Sequence, residues 1–467
     1  MSAKQVGWGE RISYGISDTA SNLIFQMISI YLMYFYTDVY GLSAGAVATL
    51  FLVTRVLDAF ADPVMGIIID KTNSKWGKSR PYFLWLGIPF AVIAMLTFLT
   101  PDFGDTGKLV YAYITYTLLG LVYSGINIPI TSILPSLTSN PQERTELASV
   151  RMFLALVGMM VVSIGTLPIV NALGGGNQQK GFFYTMVLFG IIGGIFFLIT
   201  FFNVRERVTT GHDKPLPLRE SARAIRGNWP WVLLLISGFL QMGINAMQTQ
   251  SAIYFWTYNM KKPDMVSLVM GINMLALVTL VCSSFVAKRI GKRNTSILGS
   301  SLMIIGFTVA LIGSYSLSES MLLAGLVINA LAIGFSMSMG FAMIADTIDY
   351  GEWKSGVRAQ GLLSAASSFG AKVGMGVGGA LSAGLLSWAN YVPNAAQQAE
   401  SALNAIRINY LWAPLISAIV GIGLMLCYQL DKKLGIVTED LERRRGVNPT
   451  DRGDGKGNPH SGTPVSS

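Results

Sequence analysis

About twelve times along the chain, a run of roughly 20 apolar residues is long enough to cross a ~30 Å hydrocarbon core as a helix. The runs lie near 16–38, 44–69, 81–100, 108–133, 148–172 and 181–203. They continue near 230–258, 266–287, 295–316, 320–345, 360–388 and 407–428. Inside lipid every backbone N–H and C=O must be paired within the chain, so runs of this length are helices. Composition agrees: charged residues make up 13% of the 467, about half the roughly 25% of an average soluble domain. The 50 glycines fit the same class, because glycine is common where membrane helices pack closely.

The basic residues orient the chain. With the N-terminus in the cytoplasm, about 26 of the 34 Lys+Arg fall on cytoplasmic segments, as the positive-inside rule requires. Lys108, Lys180, Lys261 and Lys262 face outside, and Arg55, Arg151, Lys372 and Arg407 fall in or at the ends of spans. An even number of spans then places both termini in the cytoplasm. The net charge of +9 is accounted for by this asymmetry, and no nucleic-acid partner is expected. The N-terminal "MSAKQVGWGERISYG" is polar, and the apolar run after it is too long for a cleaved signal.

The longest polar break, "NVRERVTTGHDKPLPLRESARAIRGNWP" at 203–230, is basic and holds Pro215, Pro217 and Pro230. It divides the spans into two sets of six. The expectation is an all-α membrane protein of twelve transmembrane helices in a major-facilitator fold. Its parts would be six-helix bundles at 1–203 and 230–428, a cytoplasmic linker at 204–229 and a cytoplasmic tail at 429–467. The end of that tail, "GDGKGNPHSGTPVSS", reads as disordered. The halves match in hydropathy and show no strong sequence repeat.

Charges inside spans carry the functional signal. In "RVLDAFADP", Asp58 and Asp62 lie one helical turn apart with Arg55 on the same stripe. A charge at mid-membrane costs from ~2.5 to over 10 kcal/mol and therefore faces protein or a wet cavity. Two carboxylates this close repel unless a cation sits between them, which suits a site neutralised by Na⁺ or H⁺. The competing reading is a structural Arg55–Asp58 pair with Asp62 near water. Pro63 invites a kink beside Asp62. Asp70, Lys71, Lys75, Lys78 and Arg80 form a loop between the second and third spans. Asp346, Asp349, Glu352 and Arg358 surround the end of the tenth span, as gate ion pairs or as solvated charges. Asp18, read in the first turn of the first helix, either caps that helix or reaches the cavity.

Several functions are disfavoured. Cys282 and Cys427 lie in apolar runs without metal or disulfide spacing, and His212 and His460 lie outside the spans. The spans therefore lack a histidine with which to build a membrane-embedded active site, and no enzyme and no cofactor is expected. "GMGVGG" at 374–379 has the form G-x-G-x-x-G, but no strand precedes it and it lies in an apolar span. Close helix packing explains it better. A channel or sensory receptor shares the topology, and fold alone does not decide.

The string D-A-F-A-D-P-x-x-G…D…W-G-K-x-R-P at 58–81 closely resembles the glycoside–pentoside–hexuronide:cation symporter family. "YGISDTASN" (14–22), "YFYTDVYGL" (34–42), "YSGINIP" (123–129) and "ADTIDYGEWKSGVRAQG" (345–361) agree with it. The resemblance implies a bacterial inner-membrane protein that takes up a sugar with a cation. It implies coupling-cation roles for Asp58, Asp62, Ser124 and Asn127, with Asp58 and Asp62 as metal ligands if the ion is Na⁺. It also puts Tyr123, Arg151 and Lys372 in the sugar and coupling cavity, where Asp18, Asn22 and Asn127 are further sugar candidates. Gating would fall to Arg55, Asp70, Arg80, Asp349, Glu352 and Arg358. Four positions depart from the family's best-known member or from many members: Asn22 and Asn127 replace acids, Thr131 replaces a tryptophan, and Gln360 replaces a glutamate. Galactoside recognition and Na⁺ coupling are both put in doubt, and the tilt is toward H⁺ or a weak Na⁺ site. Keeping Arg151 and Lys372 while losing two acids leaves acidic and neutral sugars both open, since an arginine fork suits a carboxylate. An uncoupled facilitator or exchanger of the same fold is the nearest alternative.

Overall fold

The computed structural model describes residues 6–138, 140–207, 225, 227–357 and 359–444. Among the described residues, ten helices are long and apolar enough to cross a membrane. They are α2 (Ala44–Lys71), α4 (Asp105–Ser132), α5 (Pro141–Gly174) and α6 (Gln178–Asn203). The second half adds α7 (Trp229–Tyr254), α8 (Met265–Ile290), α9 (Lys292–Tyr315) and α10 (Glu319–Ser355). It closes with α11 (Gln360–Trp388) and α12 (Glu400–Cys427). Two more complete the expected twelve. Helix α3 (Pro81–Thr97) is apolar but short. Helix α1 (Trp8–Tyr34) is long enough at 27 residues, but Glu10, Arg11, Asp18, Asn22 and several hydroxyls dilute its hydropathy.

Two boundaries differ from the hydropathy reading, for the same reason. Helix α1 begins at Trp8, well before the apolar run, so Asp18 sits some three turns in and does not cap the helix. Helix α10 runs for 37 residues to Ser355, about 55 Å at 1.5 Å per residue. That overshoots the ~30 Å core and carries Asp346, Asp349 and Glu352 beyond the apolar run on the same helix. Polar sequence continues a helix readily once water or protein satisfies its side chains, and hydropathy does not register that. The tail also holds a short helix, α13 (Leu434–Arg444), docked on α10 where Trp353 Nε1 donates to Asp440 at 3.0 Å. The expected disorder at the end of the tail, and most of the linker, lie outside the described residues.

Helices α1–α6 pack among themselves, as do α7–α12. The two sets meet along α1 with α7, α2 with α11, and α5 with α8. In lipid there is little hydrophobic drive for helices to associate, so close packing of small residues has to supply it. The 374–379 glycines do so: a Cβ on Gly378 would lie 1.9 Å from the Gly243 carbonyl oxygen, and one on Gly374 2.2 Å from that of Phe239. The glycines let α11 lie directly on the backbone of α7.

The structure exposes a repeat that matched hydropathy alone does not reveal. "YFYTD" at 34–38 and "YFWTY" at 254–258 are aligned, and each ends its helix in a single π-helical turn, Phe35–Val39 and Phe255–Asn259. At the end of the fold that carries the chain's described ends, Arg80 Nε donates to the Phe201 carbonyl at 2.7 Å and its backbone N–H to Glu206 at 2.9 Å. Arg293 does the same with Met425 at 2.8 Å and Asp431 at 2.9 Å. Both follow a glycine–lysine pair whose glycine, Gly77 or Gly291, has positive φ.

Candidate functional site

Helix α2 presents its three charges to two neighbours. Arg55 Nη1 lies 3.4 Å from Asp58 Oδ2 within one turn. Its aliphatic stem runs over α11 at Gly376, where a Cβ would come within 2.1 Å of Arg55 Cγ. Asp58 in turn packs on α4 at Gly120, where a Cβ would lie 2.4 Å from Oδ1. Neither neighbour could be larger without displacing the pair. One turn further on, Asp62 Oδ2 accepts a hydrogen bond from Lys372 Nζ of α11, an ion pair joining the two bundles. The other oxygen of that carboxylate, Oδ1, is buried and has no hydrogen-bond partner.

A second acid–base pair stands between α1 and α5. Asp18 Oδ2 lies 3.4 Å from Arg151 Nε. Arg151 Nη1 donates to the Tyr14 hydroxyl at 3.2 Å, and that hydroxyl donates to the Ile130 carbonyl at 2.9 Å. Asn22 Nδ2 reaches the Asp18 carbonyl at 2.9 Å and its carboxylate at 3.2 Å. On α4, Asn127 Nδ2 donates to the Tyr123 hydroxyl at 3.2 Å, and the Tyr123 ring stacks on Phe25 with centroids 4.9 Å apart. Thus Asp18, Asn22 and Arg151 form one cluster, Tyr123 and Asn127 a second, and Arg55, Asp58, Asp62 and Lys372 a third. Ser124 is buried on α4 and, among the described residues, makes no hydrogen bond to Asp58 or Asp62.

Of the expected gating residues, Arg55 stands with Asp58 in the span cluster, and the others that the structure describes lie at the end of the fold that carries the chain's described ends. Arg80 is held by α6 as described, and its guanidinium also sits over the Phe201 ring at 4.9 Å. Asp349 and Glu352 lie on the last turns of α10. Arg358 and the side chain of Asp70 fall outside the described residues. Here the sequence reading passed over Glu206, whose carboxylate accepts backbone N–H bonds from Lys78, Ser79 and Arg80 at 3.0, 2.7 and 2.9 Å. It also passed over Glu10, paired with Arg207 at 2.6 Å. That hydrogen bond raises the Arg207 pKa above its ordinary value, so its positive charge is fixed. The pairs Arg11–Glu146, Glu10–Arg207 and Lys292–Asp346 each stay within one bundle.

A cavity of about 440 Å³ lies within the second bundle, between α7, α9, α10, α11 and α12. Its walls carry Ser300, Ser336, Ser364 and Ser368 with Gln241 and Gln360, and no charged residue. Among the described residues, no group of three or more His, Cys, Asp or Glu could hold a metal ion.

Comparison with known proteins agrees with this architecture. A family profile described as MFS/sugar transport protein matches residues 13–432. An isoprimeverose transporter of Lactiplantibacillus pentosus is 45% identical over 446 residues, covering 94% of this chain and 92% of that protein. The putative glycoside/cation symporter YagG of Escherichia coli (strain K12) is 32% identical, covering 95% of this chain and 96% of its own length. Among solved structures, the nucleoside transporter NupG superposes with a TM-score of 0.62 at 13% identity, covering 91% of this chain and 99% of that one. A bacterial homologue of the lysosomal transporter Spinster, inward-facing and unoccupied, gives 0.65 at 12% identity, covering 93% and 97%. At such identities the likeness establishes the fold alone. The chain belongs to the MFS/sugar transport protein family, the glycoside–pentoside–hexuronide:cation branch of the major facilitator superfamily, and is a multi-pass membrane sugar symporter and not an enzyme.

Proposed function

We propose that the protein imports a neutral glycoside across a bacterial inner membrane, driven by H⁺ or Na⁺ entering at Asp58 and Asp62. The observation that carries the neutral assignment is charge balance. Arg55 is matched by Asp58, Arg151 by Asp18 and Lys372 by Asp62. Before a cation enters, a uronic acid would have to pull a guanidinium or ammonium off its own carboxylate, and the Arg151 fork stays matched by Asp18 when a cation takes over from Lys372. An uncharged sugar can instead use the amides of Asn22 and Asn127 and the Tyr123 hydroxyl. Isoprimeverose, for which one relative is named, is such an uncharged disaccharide.

The coupling reading rests on Asp62. Lys372 supplies its counter-charge and at the same time ties α11 to α2. A cation entering between Asp58 and Asp62 takes over that charge and releases Lys372, so the bundles are no longer held by this pair. Linkage then requires bound sugar to raise cation affinity by the factor that the cation raises sugar affinity. The unpartnered Asp62 Oδ1 suits either a proton or a hard cation. Two carboxylates form a thin shell for Na⁺, which favours H⁺ or weakly bound Na⁺. An uncoupled facilitator is the second reading; the Arg55–Asp58 pair would serve it equally well, but the Asp62–Lys372 bridge would have no role in it.

Uptake of radiolabelled neutral glycosides and glucuronides into right-side-out vesicles, under imposed Na⁺ or H⁺ gradients, tests both parts. Concentration of a neutral glycoside under one gradient is expected. Preference for the glucuronide overturns the charge-balance reading, and uptake that merely equilibrates overturns coupling.

A further inference from the structure

At the extracellular end of α1, the π-helical turn Phe35–Val39 carries Asp38, which is 5% exposed. Burial of a carboxylate in this way is costly unless donors surround it. Its Oδ1 accepts hydrogen bonds from the hydroxyls of Tyr258 and Tyr391, the latter at 2.6 Å, and from the Asn394 backbone N–H at 3.3 Å. Thr37 donates to Oδ2 at 2.6 Å. The Asn394 side-chain amide closes on the Asp38 carbonyl at 2.5 Å, and the Thr37 and Tyr254 hydroxyls lie 2.7 Å apart. Among the described residues, no lysine or arginine forms an ion pair with it. The anion is held by neutral donors instead.

All of those donors to the carboxylate except Thr37 come from the facing bundle. Asp38 and Thr37 belong to the first bundle. Tyr254 and Tyr258 end α7, and Tyr391 and Asn394 lie in the α11–α12 loop, all in the second. Tyr258 is the residue that the YF-x-T repeat aligns with Asp38, so one copy of the repeat offers the acceptor and the other a donor. The tyrosine rings pack edge-on, Tyr254 on Tyr391 at 5.5 Å and Tyr258 on Tyr391 at 5.6 Å, which surrounds the carboxylate with ring carbon as well as donors.

We propose that Asp38 is the latch of the extracellular gate, a buried anion of one bundle gripped by the hydroxyls of the other when the outer side is shut. Opening outward requires these bonds to break together, and water then solvates the carboxylate. Hydroxyl donors suit a latch because they hold the anion only where geometry and dryness are both kept, and they leave no unpaired positive charge behind when the bundles part. The pair of π-helical turns fixes the register, because each brings the residues of the repeat round to the facing bundle.

The inference does not depend on which sugar or cation is carried, and its test needs neither. Spin labels on cysteines at Phe103 and Leu317, exposed positions on extracellular loops of the two bundles, report the opening in reconstituted protein with Cys282 and Cys427 replaced by serine. Wild type should give mainly one short distance. Asp38→Asn, and separately Tyr258→Phe with Tyr391→Phe, should each raise the long-distance population about threefold or more, since each biases a two-state equilibrium. Should Asp38→Asn fold poorly, the tyrosine double variant decides, because its rings still pack. A lowered melting temperature with unchanged distances in the folded variants would mean that Asp38 only stabilises the fold, and would overturn the latch.

Discussion

At the residue scale, the stripe Arg55–Asp58–Asp62 is legible from helical spacing alone, and the resemblance gives it a role. What spacing cannot provide is the partner of Asp62. Lys372 lies 310 positions away, and either of the two span-embedded cations of the cavity, Arg151 or Lys372, could have been matched to the α2 acids. The structure gives Arg151 to Asp18 and Lys372 to Asp62, which turns an excess of positive charge into a balance. Asp38 was within reach too, inside the family-like string at 34–42, but a single acid at a helix end has no sequence mark of burial. The pairing at Asp62 leads to a definite expectation. Asp62→Asn should lower concentrative uptake at least about tenfold, equivalent to ~1.4 kcal/mol or more of coupling free energy, and should spare sugar counterflow, which needs no gradient. Parallel measurement of the two decides it: equal loss of both would make Asp62 a sugar or folding residue, and loss of neither would make it a bystander.

At the scale of elements, the spans are legible because ~20 apolar residues have few other uses, while their ends are not. Helices α1 and α10 both outrun their apolar cores, one toward Glu10 and the other toward Glu352, since ion pairs such as Glu10–Arg207 and Lys292–Asp346 satisfy the polar residues that continue them. The glycines of α11 show the opposite case, in which a local pattern invites a wrong chemistry and the packing corrects it. Gly378 faces the Gly243 carbonyl at a separation where a Cβ cannot fit. Gly378→Val should therefore push α11 off α7, at a cost of ~1–3 kcal/mol if the helices can adjust. A thermal melt in detergent should show a clear drop, with Gly384→Val as the control. A Cβ at Gly384 would meet nothing closer than Ala48 Cβ at 4.0 Å, so equal drops would mean that the seam is looser than its geometry implies.

At the scale of the whole molecule, two half-structures repeat a helix-end motif outside and a glycine–lysine–arginine clamp inside, yet the repeat is only a few residues long in each place. Twofold-related halves require the same backbone geometry at equivalent points, and a few side chains suffice to impose it, so the intervening sequence is free to diverge. Among the described residues, contacts between the halves at the Asp38 end include Asp38 with its tyrosines, α5 on α8, and the start of α2 on the end of α11. At the last of these, a Cβ on Gly45 would lie 3.6 Å from Ser387 Cβ, inside the ~3.5–4.5 Å that a disulfide spans. If transport rocks one bundle against the other, a Gly45→Cys, Ser387→Cys pair should form that bond under mild oxidant and hold the outer side shut. Uptake should then fall to background and return on reduction, while each single variant should be insensitive to oxidant. Full uptake by protein shown on a gel to be cross-linked would mean that α2 and α11 stay together through the cycle. The moving boundary would then lie elsewhere, and the Asp62–Lys372 bridge, between the same two helices, could not be the bond that a cation releases.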